Sequence, residues 1–126
     1  MSSERYEMDP LSATIDEVGL DPLWERLDAW ADSSRADRAA VEEIEARFTR
    51  EASPASERGP AYEDTRWGFF DDLSAADARK VWRTLTPAQR RAARRQSSLA
   101  DYGDSSGKDL LCEAVMWHLS MEASRP

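Results

Sequence analysis

Two helix starts lie within one stretch, 73-LSAADARKVWRTLTPAQRRAARRQ-96, and together they dictate its local structure. Ser74 and Asp77 have the spacing of a capping box. Thr86, Pro87 and Gln89 supply an N-cap hydroxyl, a first-turn proline and an N3 amide for a second helix. Two short helices with a tight corner at Leu85 and Thr86 are therefore expected. Between Arg79 and Arg95 the stretch carries seven basic residues and no acidic one, although the whole chain has a net charge of −8.

A length of 126 residues suits a single domain with a single core. Five tryptophans and three phenylalanines can fill it, each contributing roughly 1.5–3 kcal/mol when fully enclosed. Cys112 is the lone cysteine, which excludes an internal disulfide and a cysteine-built zinc site. No stretch approaches the ~18 uninterrupted apolar residues of a membrane span, and residues 1–10 are polar and acidic. These features predict a cytoplasmic protein with no membrane association.

Along the chain, residues 1–9 read as a flexible leader. Asp9 and Pro10 open a short helix carrying Leu11, Ile15 and Val18 and ended by Gly19. Asp21 and Pro22 open a second, with Leu23, Trp24, Leu27, Trp30 and Ala31 at helical spacing. Ser34, three residues before Asp37, starts a third, whose stripe is Ala40, Val41, Ile44 and Phe48. Residues 52–66 read as a long loop, and 67-WGFFDDL-73 as a helical turn or aromatic plug, making 52–72 irregular. After the basic pair, whose second helix is expected to extend its face to Leu99 and Ala100, a turn-rich break at 101–109 leads to a final helix over about Lys108 to Met121. Its apolar coverage by Leu110, Leu111, Cys112, Ala114, Val115, Met116, Trp117 and Leu119 places it at the centre of the bundle or in a homodimer interface. The fold class is all-α: a bundle of five or six helices in one domain spanning residues 1–126.

The arginine island admits three uses. It can neutralise the acidic first half of the chain, contact phosphates, or dock an acidic protein patch. A helix-turn-helix reading is disfavoured because clustered arginines grip phosphates without specifying bases. Acidic residues such as Glu42, Glu43, Glu45, Asp71 and Asp72 permit a further reading, a charge mimic that blocks a nucleic-acid-binding protein.

Catalytic signals are weak. His118 is the only histidine, so a multi-histidine metal centre is excluded. Cys112 and His118 lie six residues apart, about 120° around a helix, and do not form a dyad. The string 103-GDSSGK-108 lacks the spacing of a phosphate-binding loop and reads as a helix-start turn. No catalytic residue, cofactor or metal is assigned.

The sequence thus predicts a non-catalytic adaptor or regulator that binds a protein partner through a basic two-helix patch. Arg79, Arg83, Arg90, Arg91, Arg94 and Arg95 are the expected contacts, with Trp82 and Trp117 as aromatic anchors. A nucleic-acid-associated protein touching phosphates through Arg79–Arg95 is the alternative.

Overall fold

In the computed structural model, residues 10–52 and 69–123 are described, and they build an all-α bundle without a sheet. Among the described residues, beside a helical turn at 69–72, seven helical elements follow one another: α1 (Ile15–Val18), α2 (Leu20–Asp32), α3 (Arg38–Ala52), α4 (Ala75–Arg83), α5 (Pro87–Arg95), a 3-10 turn (Leu99–Asp101) and α6 (Gly107–Ala123). That is more than the five or six expected. The added element arises because α5 stops at Arg95 instead of continuing through Leu99 and Ala100, for a reason that lies in α6 and is described below. The 1–9 leader and most of the 52–66 loop fall outside the described residues, although Ala52 itself ends α3.

The caps expected for α4 and α5 are present. Ser74 Oγ accepts the Asp77 N–H at 3.1 Å, and Thr86 Oγ1 and Gln89 Oε1 exchange bonds with each other's backbone N–H at 3.1 and 2.9 Å. Two other starts are displaced. The first helix begins not at Pro10 but after Thr14, which forms a reciprocal capping box with Glu17. The third is capped by Asp37, whose Oδ1 accepts the Ala40 N–H at 3.1 Å, while the Ser34 hydroxyl turns back to the Ala31 carbonyl at 2.7 Å. A serine just past a helix end has this competing local acceptor, which spacing alone does not reveal. Gly19 joins α1 to α2 at φ +91°, a conformation that side chains disfavour.

The bundle is assembled around α6, which packs against α2, α3, α4, α5 and the 3-10 turn. Leu110, Leu111, Cys112, Ala114, Val115, Met116 and Leu119 are all buried there, so the chain's own helices cover the broad apolar face. Trp24 of α2 stacks on Trp82 of α4 with ring centres 5.3 Å apart, and Phe48 of α3 meets Phe69 edge-on at 4.9 Å. Residues 69–72 are helical, and Phe69 and Leu73 plug the core; Trp67 and Gly68 of the same run lie outside the described residues.

The chain segment before α1 is laced to the loop before α6. Gly107 N–H donates to the Ala13 carbonyl, Lys108 N–H to Leu11, Ile15 N–H to Ser105 and Asp16 N–H to Gly103. This explains the glycines of 103-GDSSGK-108 sterically. A Cβ on Gly107 would lie 1.7 Å from the Pro10 carbonyl oxygen, and one on Gly103 would meet the Asp16 carboxylate.

Candidate interaction site on the basic helix pair

The α4–α5 corner lies along α2, so the island meets one helix at several points, and most of its arginines turn inward. Arg90 is the most enclosed. Its Nε and Nη2 donate to the Trp82 carbonyl at 3.2 and 3.0 Å, Nη1 to Asp28 at 3.3 Å, and Nη2 to Asp32 at 2.7 Å. Asp28 also accepts the Trp82 indole N–H at 2.7 Å and Nη1 of Arg94 at 3.4 Å. Arg94 lies over the Trp24 ring and Arg90 over Trp82, so each cation has a π face as well as a carboxylate.

Nearer the start of α4, Arg79 donates from Nε to the Trp30 carbonyl at 3.0 Å and from Nη2 to Ser33 Oγ at 2.7 Å, with its guanidinium 4.4 Å from the centre of the Trp30 ring. Arg83 Nε donates to the Ser34 carbonyl at 3.1 Å. Arg79 thus satisfies a last-turn carbonyl of α2 and Arg83 one just beyond its end, where positive charge also suits the helix dipole.

Of the eight predicted contact residues, these placements correct two. Trp82 is wholly buried (0 % exposed), filling the space between α2, α4 and α5, so it is core and no partner reaches it. Arg90 is buried too and serves the α2–α4–α5 junction. Arg79, Arg83 and Arg94 are partly exposed but engaged by α2 and the residues after it. Trp117 is half-buried and donates its indole N–H to Glu113 at 3.2 Å.

Arg91 and Arg95 stand apart. Both are exposed, lie one turn apart on α5 and make no ion pair among the described residues. With Arg94 they border a shallow groove of about 290 Å³ whose other wall is Leu20, Asp21 and Trp24. A larger groove of about 750 Å³ lies towards the other end of α2, between the α2–α3 linker and the start of α4.

Sequence reasoning missed Asp28 and Glu113. Glu113 of α6 is fully buried, and its carboxylate accepts from Ser97 Oγ at 2.5 Å, Ser98 Oγ at 2.8 Å, the backbone N–H groups of Ser98 and Leu99 at 3.0 Å each, and Trp117. This carboxylate is what ends α5: it draws the amides at 98 and 99 into a 3-10 turn. Burial pushes the Glu113 pKa up, but the bonds from Ser97, Leu99 and Ser98 outweigh it and hold the acid below its ordinary value. In both cases the available signal was an acidic residue interrupting the buried face of its helix, Asp28 beside Trp24 and Leu27, and Glu113 between Leu110 and Met116.

Cys112 is buried with its thiol 3.6 Å from the Leu73 carbonyl, and burial raises its pKa to about 11. His118 is also buried on α6. Among the described residues no group of three or more His, Cys, Asp or Glu side chains is placed to hold a metal ion, and no helix is long and apolar enough to cross a membrane. Neither a protein-family model, a curated protein nor a solved structure matches the chain.

Proposed function

We propose that this protein is a non-catalytic adaptor or regulator that docks an acidic segment of a partner protein on the outer face of α5. One observation carries the reading: α2 and its C-terminal linker engage Arg79, Arg83, Arg90 and Arg94, whereas Arg91 and Arg95 remain exposed beside a groove walled by Leu20 and Trp24. Two cations one helical turn apart match carboxylates at the same spacing on a partner helix or extended segment, and the aromatic and aliphatic wall adds apolar contact. Opposite charges outside the contact steer encounter without adding much affinity. Of the eight apolar residues of α6 that suggested a homodimer, all but the half-buried Trp117 are buried within the chain itself, so the proposal includes no self-association.

The test is affinity capture from the native cell with the full chain and with an Arg91→Glu/Arg95→Glu variant, followed by direct binding of each captured protein and by melting curves of both chains. The expected result is a captured protein whose affinity falls at least about tenfold in the variant while the melting curve is unchanged. Retained affinity in the variant, or an altered melting curve with no loss of binding, overturns the proposal. Low-salt titration with random duplex and single strand separates the alternative, since steeply salt-dependent binding there assigns the arginines to phosphates instead.

A further inference from the structure

The larger groove, of about 750 Å³, lies between the α2–α3 linker and the start of α4 and shares no lining residue with the groove beside α5. Its volume falls in the range of about 300–1,000 Å³ typical of small-molecule sites. Leu11, Trp30, Ala36, Ala75 and Ala76 give it apolar walls, and Arg35, Arg79 and Lys80 bring three cations to its edge.

Arg79 is fixed in place on the lining of this groove. Its Nε and Nη2 are fixed by the Trp30 carbonyl and Ser33 Oγ and its plane lies over the Trp30 ring, while Nη1 has no acceptor among the described residues. A guanidinium already held in place loses little freedom when it binds a carboxylate. Arg35 and Lys80 make no ion pair among the described residues either. The acidic residue on the lining, Asp37, is engaged as the cap of α3 through the Ala40 N–H. In an acidic protein, three cations around a concavity whose carboxylate faces a helix start leave a local excess of positive charge.

We infer that this groove binds a small organic anion with an apolar body, its carboxylate held by Arg79 with Lys80 and Arg35 and its body lying against Trp30 and the alanines of α4. A purely inorganic anion would use the cations but leave the apolar walls wet, and a neutral apolar molecule would leave the cations unpaired.

The experiment uses the full chain and phenylbutyrate as probe, with the neutral phenylbutyramide and inorganic phosphate as comparators, followed by NMR shifts of the backbone amides and the Arg79 Nε–H. The expected result is saturable binding with a Kd of about 1 mM or tighter, shifts centred on Ala75, Ala76 and Arg79, and at least about tenfold weaker binding of both comparators. An Arg35→Gln/Lys80→Gln variant weakens phenylbutyrate about tenfold. Ala76→Phe, at an exposed position on the groove wall, blocks it with the melting curve unchanged, and Arg91→Glu/Arg95→Glu leaves it unaltered. The proposal is overturned by absent saturation, by equal binding of the amide or of phosphate, by shifts centred on α5, or by full affinity in the Arg35→Gln/Lys80→Gln variant.

Discussion

Trp82 and Asp28 close a ring through Arg90. The Trp82 indole N–H donates to Asp28 Oδ1 at 2.7 Å, Arg90 donates to the same oxygen at 3.3 Å, and Arg90 returns to the carbonyl of Trp82 at 3.0–3.2 Å. Residues from α2, α4 and α5 are thereby fixed to one another at a point where each helix alone offers only one or two turns of apolar face. The ring explains why an arginine-rich helix packs onto a tryptophan: its inward arginine finds a carboxylate and a carbonyl already in place.

Removing Asp28 leaves the Trp82 N–H and the enclosed Arg90 guanidinium without their shared acceptor. Asp28→Ala is expected to lower stability by about 3 kcal/mol, because a buried charge that loses its partner costs more than the pair contributes. Asp28→Asn keeps an oxygen for the indole and loses only the charge, so it should cost about half as much. Denaturant melts of the two variants check the difference; an Asp28→Asn variant as stable as the parent would mean that the ion pair is irrelevant, and equal losses that the indole bond contributes nothing.

Glu113 makes stability depend on pH in a defined direction. Its folded pKa lies below the unfolded value of about 4.3, so its stabilisation is fully present above that value and is lost as pH falls through the folded pKa. Glu113→Gln replaces an acceptor of five bonds with a group whose NH₂ faces donors, and is expected to cost about 2–4 kcal/mol at neutral pH. The gap between the parent and this variant should be constant from neutrality down to about pH 5 and shrink below it. A gap that widens on acidification would contradict the assignment of an ionised carboxylate.

These two carboxylates also mark the limit of what was legible in the sequence. Caps at Ser74 and Thr86 depend on groups three residues away, so their spacing carried nearly all the information needed, and the same local chemistry made the breadth of the α6 apolar face readable. Asp28 meets residues 54 to 66 positions away, and Glu113, besides Trp117 on its own helix, meets residues 14 to 16 away across a turn. No local pattern encodes those meetings. The end of α5 was misplaced for that reason. Neutralisation by the acidic first half was among the expected uses of the arginines and is what Arg90 and Arg94 show, but which of them it takes was not legible: four-residue spacing sets Arg90 and Arg94 on one face and Arg91 and Arg95 on another, and which face meets α2 depends on the fold.

Gly103, in the loop before α6, and Gly107, the first residue of that helix, should respond very differently to a methyl group. At Gly107 the added Cβ would meet backbone, the Pro10 carbonyl, whereas at Gly103 it would meet the end of the Asp16 side chain, which can swing away. Gly107→Ala is expected to cost about 2–3 kcal/mol and to speed hydrogen exchange at Gly107, Lys108 and Ile15, whose N–H groups tie the two segments together. Gly103→Ala should cost less than about 1 kcal/mol. Comparable losses at both sites would show that the close approach at Pro10 is not maintained in solution.

With its pKa raised to about 11 and its side chain buried, Cys112 should be almost inert in the folded protein. Near pH 8 only about one thiol in a thousand is ionised, and reagent must wait for the core to open. An aromatic disulfide reagent is therefore expected to react at the rate of unfolding, rising with denaturant in step with loss of the tryptophan signal. Rapid native-state labelling would place the thiol outside the core.

Arg90 and Arg91 are neighbours in the chain with opposite surroundings, and this contrast separates folding from binding. Arg90→Ala removes four hydrogen bonds at the α2–α4–α5 junction and should destabilise by about 2–3 kcal/mol, at the lower end of the range for buried pairs because Asp32 is more than half exposed. Arg91→Ala removes no ion pair among the described residues and should change stability by less than about 0.5 kcal/mol. Adding Arg95→Ala should stay within a similar margin, since the two exposed cations one turn apart repel each other by only a few tenths of a kcal/mol. Chemical melts of the three variants in low salt give the test. If Arg91→Ala destabilises as much as Arg90→Ala, the outer face of α5 serves the fold, and its cations are not free to meet an acidic partner.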